Sequence, residues 1–308
     1  MKIQVTTSSF GKAGPKPTDY LKEFDVDLHL NPYGRTLTES EAIEVINDAD
    51  ALIAGTEPLS ENVIKALPNL KVISRCGTGM DSVDTEAAKK KNIKVFNTPD
   101  VHVDSVAELA LGGILAAYRN ISMGDRRIRE GNWTKLMGKS LFKKQVGIIG
   151  YGKVGKKLVD LLRPFSVSIL IYDPMIDENS FKEDNFKVVG LDELIQNSDV
   201  ISIHAPYNKS THDLLNERSF NNMKNDVTLV NTARGGIVNE TALYKFLNNN
   251  SEASAFLDVF SKEPYSGKLV ELENITLTPH VASRTRQTRE EMEFQAAKNL
   301  IKAFENNA

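Results

Sequence analysis

The sequence is poor in cysteine, in long apolar runs and in net charge, and each shortage closes off a class of function. Its single cysteine, Cys76, rules out an intramolecular disulfide and any multi-cysteine zinc or iron–sulfur site; no metal is expected. Lysine and arginine number 38 against 41 acidic residues, a formal charge of -3, so there is no general attraction for nucleic acid or an acidic membrane. The longest apolar stretch, Val106 to Tyr118, is carried by Ala and Gly, contains Glu108 and is too short to span a bilayer. The opening MKIQVTTSSF reads as a strand and lacks the apolar core of an export signal. The expectation is a cytoplasmic protein without nucleic-acid or membrane partners. A length of 308 residues with 41% hydrophobic and 26% charged residues suits a globular chain of two domains.

What is present is organised around Gln145 to Gly155, QVGIIGYGKVG. A strand-length apolar run breaks into Gly150-Tyr151-Gly152-Lys153-Val154-Gly155, and an amphipathic run follows. The three glycines of G-x-G-x-x-G do different things. Gly150 permits a tight turn, Gly152 lets backbone approach a pyrophosphate, and Gly155 lets helix pack on strand. The helix N-terminus adds free N–H groups and partial positive charge. A second apolar run, Ile169 to Tyr172, ends in Asp173, near the spacing of the acid that binds a ribose 2′-OH. A carboxylate there repels a 2′-phosphate, so the expected cofactor is NAD.

Before this motif, apolar runs at Ile3–Val5, Val26–Leu30, Ala51–Ala54, Val72–Ser74 and Val95–Phe96 read as short strands. Thr38-Glu39-Ser40-Glu41 is a capping-box pattern ahead of a helix, and another helix covers Thr85 to Lys91. Gly11 to Pro17 reads as a surface loop, and Asn97-Thr98-Pro99 as a turn and hinge. Ser105-Val106-Ala107-Glu108 repeats the capping-box pattern and predicts a long helix to about Glu130, stopped by Gly131. The small residues Ala110, Gly112, Gly113, Ala116 and Ala117 on it serve either internal packing or a subunit interface. After the glycine motif, Val200–His204, Val227–Asn231, Ala255–Val259 and Ile275–Thr278 continue the strand count of a doubly wound sheet. Thr285 to Asn306 has helical spacing.

Ligands of such sheets bind at the carboxyl ends of strands. Arg234, Asp258, Glu263 and His280 all follow predicted strands closely. A hydride-transfer enzyme needs a cation for the substrate carboxylate and carbonyl, a proton carrier active near neutral pH, and a partner that fixes that carrier; Arg, His and Glu suit those roles. His29 and His212 read as surface or packing residues.

Asn231-Thr232-Ala233-Arg234-Gly235, Asp258-Val259-Phe260-Ser261-Lys262-Glu263-Pro264, Thr278-Pro279-His280, His204-Ala205-Pro206 and the central glycine motif together resemble the D-2-hydroxyacid dehydrogenase family. Arg75-Cys76-Gly77-Thr78-Gly79-Met80-Asp81 and Gly131-Asn132-Trp133 point within it to the short-form D-3-phosphoglycerate dehydrogenase branch of serine biosynthesis, without that branch's regulatory C-terminal domains. The resemblance implies an α/β fold of two doubly wound parallel-sheet domains: a Rossmann NAD domain, 98–283, inserted in a flavodoxin-like substrate domain, 1–97 plus 284–308. It implies that Arg234 holds the substrate carboxylate and C2 oxygen, that His280 carries the proton, and that Glu263 orients His280. His204, Ala205, Pro206, Thr211, Thr232, Ala233 and Asp258 would border the cofactor, Asp258 at its nicotinamide end. Arg75, Cys76, Gly77, Thr78, Gly79 and Lys135 would meet the substrate, with Arg75 or Lys135 taking a phosphate. The reaction implied is interconversion of a small D-2-hydroxy acid and its 2-oxo acid, 3-phosphoglycerate first and glyoxylate, hydroxypyruvate or D-lactate-type acids as the alternative, by a homodimer or tetramer that pairs through Ser105 to Leu141. A non-enzymatic rival is an NAD-sensing, corepressor-like binding protein. Two departures from the family are His102, where Asn is commoner, and Arg284 after His280.

Overall fold

The structure is a computed structural model that describes residues 1–177 and 185–305; Asn306, the last residue of the expected C-terminal helix, lies outside them. The chain forms two compact units, one of Met1–His102 plus the segment from Ser283 onward, the other Val103–Ala282.

In the first unit the elements alternate: β1 (Lys2–Val5), α1 (Lys16–Lys22), β2 (Asp27–His29), α2 (Glu39–Ile46), β3 (Ala51–Ala54), α3 (Glu61–Ala66), β4 (Val72–Arg75), α4 (Thr85–Lys90) and β5 (Lys94–Phe96). The strands pair in parallel in the order β2-β1-β3-β4-β5, so the direction of winding reverses between β1 and β3. All four residues of β3 are buried, as expected for a strand covered on both faces. One face is sealed by Ile46, Ile64, Leu67 and Ala88. On the other, α11 (Arg286–Glu305) and α1 bring Met292, Leu300 and Leu21 onto Ile3, Val5 and Val72; each such buried side chain is worth about 1.5–3 kcal/mol. The capping box at Thr38 forms as expected: its side chain accepts from Glu41 N–H while the Glu41 carboxylate accepts from Thr38 N–H at 2.9 Å. Gly11 to Pro17 is not wholly a loop. Lys16 and Pro17 open α1, with Pro17 buried, because proline costs nothing where helix N–H groups have no partner.

The second unit contains α5 (Val103–Tyr118), α6 (Ile121–Arg129), β6 (Gln145–Ile149), α7 (Lys153–Leu162), β7 (Ser168–Tyr172), β8 (Phe186–Val188), α8 (Leu191–Asn197), β9 (Val200–Ile203), α9 (Glu217–Asn221), β10 (Thr228–Asn231), α10 (Glu240–Asn249), β11 (Ser254–Leu257) and β12 (Ile275–Leu277). Its parallel sheet runs β12-β11-β10-β9-β6-β7-β8, the doubly wound order with a switch between β6 and β9. The edge strand β8 is additional to the expected set; three residues are too few to show periodicity.

The helix expected from Ser105 to Glu130 differs in two ways. It begins at Val103, so Ser105 lies inside it and is buried; S-x-x-E also occurs by chance within helices. It then breaks at Asn120, which adopts φ 52 and donates its amide to Met137 O at 3.0 Å. Asparagine tolerates this left-handed state better than most residues. The small face of α5 serves internal packing at Gly113, where a Cβ would stand 2.5 Å from the Phe256 ring, while Gly112 faces open space.

Candidate active site

The glycine turn is built as its spacing requires. Gly150 has φ 90, and a Cβ there would stand 2.7 Å from His204 C and Ala205 N. The turn after β6 therefore lies directly against the loop after β9, an approach reinforced by His204 N–H donating to Ile149 O at 2.7 Å. A Cβ on Gly155 would collide with Gly150 O, so α7 is seated against the turn, whereas a Cβ on Gly152 would meet nothing within 4 Å. Lys153 and Val154 form the first turn of α7. At the end of β7 the Asp173 carboxylate accepts from Tyr151 N–H at 2.8 Å and Met175 N–H at 2.9 Å, which joins the two strand ends and leaves lone pairs for hydroxyl donors.

The loop after β9 carries His204, Ala205 and Pro206, and is closed by Thr211 Oγ1 donating to Pro206 O at 2.7 Å. The His204 Nε2 lies 2.8 Å from Ser202 Oγ. Burial pushes that imidazole down to about 4, so it is neutral at physiological pH and unsuited to deliver a proton there. Ser202, missed in the sequence, sits inside an apolar strand and gave no signal.

Past β10, Asn231 folds the chain back on itself: its side chain accepts from Ala233 N–H at 3.0 Å and donates to Arg234 O at 2.9 Å. A Cβ on Gly235 would collide with the Phe260 backbone, so glycine is what lets the loops after β10 and β11 touch. Phe260 N–H in turn donates to Glu263 Oε1 at 3.1 Å, and Glu263 Oε2 lies 2.8 Å from His280 Nδ1. Burial raises the Glu263 carboxyl, but the hydrogen bond and charge of His280, the Phe260 N–H and the positive charge of Arg234 outweigh it and hold the group below the usual carboxylate range. Arg234, Glu263 and His280 are thus brought together.

Asp258, expected at the nicotinamide end of the cofactor, is engaged by the chain around it. Its carboxylate is fully buried and accepts from Thr278 Oγ1 at 2.6 Å, Val281 N–H at 2.8 Å and Ala282 N–H at 2.9 Å. His280 N–H donates to Asp258 O at 2.9 Å, and His280 itself has φ 52, a conformation that costs a non-glycine residue about 1–3 kcal/mol. Asp258 is a clamp that holds the histidine in that state.

In the first unit, Gly77 and Thr78 are tied to the segment after β5. Gly77 N–H donates to Thr98 Oγ1 at 2.8 Å, Asn97 Nδ2 donates to Thr78 O at 2.9 Å, and Thr78 Oγ1 lies 3.0 Å from His102 Nδ1. Arg75 folds over this loop: its Nη1 donates to Cys76 O at 2.6 Å, and a Cβ on Gly77, which has φ 145, would collide with the guanidinium. The Cys76 side chain points into the core, where burial pushes its thiol up to about 11; only its backbone can meet a ligand. Lys135 is exposed in the stretch between α6 and β6 of the other unit, and Arg284 is exposed as well. Glu57, missed in the sequence, is buried in the loop after β3. Among the described residues no group of three His, Cys, Asp or Glu is placed to hold a metal ion, and no helix is long and apolar enough to cross a membrane.

Residues 111–282 match the family D-isomer specific 2-hydroxyacid dehydrogenase, NAD binding domain. The hydroxypyruvate reductase of Thermotoga maritima is 37% identical over 273 residues, 86% of this chain and 88% of that protein. The chain belongs to the D-2-hydroxyacid dehydrogenases. The D-3-phosphoglycerate dehydrogenase of Archaeoglobus fulgidus is 35% identical over 288 residues, 92% of this chain but 54% of that protein, so the chain spans about half its length. The crystal structure of the TT0316 protein from Thermus thermophilus superposes with a TM-score of 0.88 at 32% identity, covering 99% of this chain and 97% of that one.

As a D-2-hydroxyacid dehydrogenase the chain is an oxidoreductase with an NAD-binding domain, and its second unit fits the dinucleotide. The space above Gly152 suits a pyrophosphate, and the amide ends of α7 face it. Thr232 Oγ1 is buried with no hydrogen-bond partner, a cost that a bound polar group would relieve.

Proposed function

We propose that the chain interconverts a small D-2-hydroxy acid and its 2-oxo acid, and the observation that carries this is the His280–Glu263 pair beside Arg234 in an NAD-binding unit. Bound NAD supplies the hydride acceptor at C2, and NADH the donor. Arg234 would hold the carboxylate and polarise the C2 oxygen. Glu263 occupies His280 Nδ1 and fixes the ring, which leaves Nε2 to take the hydroxyl proton in oxidation and return it to the carbonyl oxygen in reduction. Glycines 150, 152 and 155, Asp173 and Thr232 would hold the cofactor, and the loop Gly77–Gly79 the substrate carboxylate. The test is NADH-dependent reduction of a 2-oxo acid panel. His280→Ala should lower turnover by about 10²–10⁴-fold while NADH affinity is retained. A variant as active as the parent would sink the assignment.

For the substrate we propose a small 2-hydroxy acid, with its 2-oxo acid, whose phosphorylation is what remains to be decided. The phosphorylated member, 3-phosphoglycerate with 3-phosphohydroxypyruvate, is supported by the Arg75 guanidinium lying over the Gly77 loop, and would place the chain in serine biosynthesis. A second reading, hydroxypyruvate or glyoxylate, is favoured by the engagement of Arg75 with Cys76 O, which leaves less of the fork for a phosphate. Comparison of kcat/KM for 3-phosphohydroxypyruvate, hydroxypyruvate and glyoxylate decides between them.

A further inference from the structure

His102 has no part in the reading above, yet it is built into the loop which that reading gives to the substrate carboxylate. It lies on the segment after β5, and hydrogen bonds join that segment to the loop after β4. Gly77 N–H donates to Thr98 Oγ1 at 2.8 Å, Thr98 N–H to Gly77 O at 3.1 Å, Asn97 Nδ2 to Thr78 O at 2.9 Å and Thr78 Oγ1 to Thr98 O at 3.2 Å. The N–H of Gly77 is thereby taken. Among the described residues no protein acceptor takes the N–H of Thr78 or of Gly79, so those two are the donors that a carboxylate would meet.

The hydroxyl of Thr78 fixes the state of the imidazole beside it. It has a single hydrogen, and Thr98 O can only accept, so that hydrogen lies on the 3.2 Å bond to Thr98 O. His102 Nδ1, 3.0 Å from the same hydroxyl oxygen, must then be the donor. A ring that donates through Nδ1 takes its second proton at Nε2, so it can become charged without letting go of Thr78. Histidine is the side chain that makes this change between about pH 5 and about pH 8. The charged groups on the segments around it are Arg75 and Asp81 on the loop after β4, Asp100 on its own segment, and Asp104 at the start of α5, which pairs with Lys157 Nζ at 2.8 Å. Arg75 opposes a positive ring and the acids favour it. The helix α11 meets the segment through the uncharged Asn299, whose Nδ2 donates to Asn97 O at 2.9 Å.

We propose that His102 is a positioning residue for the substrate carboxylate and makes the hold on it depend on pH: Nδ1 braces Thr78, and the imidazolium adds positive charge beside the N–H groups of Thr78 and Gly79. This deepens the dehydrogenase reading and rests on it. Substrate KM should be lowest on the acid side of the histidine range and rise as the ring loses its proton. His280 carries a proton of its own, and the ratio of KM in His102→Asn to KM in the parent protein cancels its contribution. Asparagine can still donate to Thr78 but carries no charge. With NADH and the 2-oxo acid that is reduced fastest, this ratio should rise about fivefold between about pH 8 and about pH 5. The corresponding ratio of kcat values should stay flat, because the charge holds ground state and transition state alike. His102→Gln should give the same trend, and serves should the first variant fold poorly. A KM ratio that does not change with pH, whether near one or displaced by a constant factor, overturns the inference: His102 would then only brace the loop, and dehydrogenase activity would stand. Absence of turnover on every 2-oxo acid by the parent protein overturns the underlying reading, and the inference with it.

Discussion

At the residue scale, His280 depends on two acids that work differently. Glu263 is partly exposed and touches the ring; Asp258 is fully buried and touches only the backbone and hydroxyl groups around it. Glu263 is held below its ordinary value of 4.5. A carboxylate with a depressed folded-state value contributes stability that is present above the ordinary value and lost as pH falls through the lowered one. The parent protein should therefore lose thermal stability relative to Glu263→Gln when pH is taken from neutral to below 4.5, with the difference appearing only in that acid window; parallel melting curves across it would refute the linkage. Asp258→Ala leaves the Val281 and Ala282 N–H groups buried without acceptors, a cost on the order of 3 kcal/mol. It also releases His280 from its left-handed backbone. Denaturant unfolding should show the first effect and a fall in kcat, with NADH affinity little changed, the second. A loss of NADH affinity alone would instead return Asp258 to the cofactor.

At the element scale, the turn between β6 and α7 separates two glycines that look alike in sequence. Gly155→Ala would drive a methyl into Gly150 O and unseat the helix, whereas Gly152→Ala would add one in open space. The first should destabilise the fold by about 1–3 kcal/mol; the second should leave melting unchanged and weaken NADH binding, as calorimetry can read. Equal effects of both on stability would mean that Gly152 is structural. The turn and the packing of Gly155 were legible beforehand because a strand, a turn and a helix start are local events with fixed residue demands. The same holds for Thr38, whose cap reaches three residues. The break at Asn120 and the strand β8 were not legible: one depends on a backbone state that asparagine adopts only occasionally, the other on edge pairing with β7. Glu57 was hidden for a stronger reason. Thr-Glu-Pro reads as a solvated turn, and only the convergence of β1, β3 and β4 puts its carboxyl out of water. Asp258 was found as a polar group at a strand end, but its partners lie 20 to 24 residues away, so a clamp and a cofactor contact could not be told apart.

At the scale of the whole molecule, the second unit leaves a run of apolar groups in solvent. Ile121 is 57% exposed, Ile128 59%, Trp133 80%, Met137 92% and Phe142 54%, all within about twenty residues spanning α6 and the stretch that leads to β6. Single exposed apolar side chains are ordinary, but this concentration, interleaved with Arg126, Arg127 and Arg129, has the composition of an association surface. We propose that it is where two copies of the chain pair. The buried small residues of α5 do not contribute, because Gly113 is already occupied by Phe256. Sedimentation at micromolar concentration should show a dimer for the parent protein. Trp133→Glu combined with Met137→Glu places two charges where desolvation would have to occur, which is costly without partners, and should shift the protein to monomer. Neither side chain is packed in its own chain, so melting of the variant in dilute solution should match that of the dissociated parent. A parent protein that sediments as a monomer would leave these residues without the partner proposed for them.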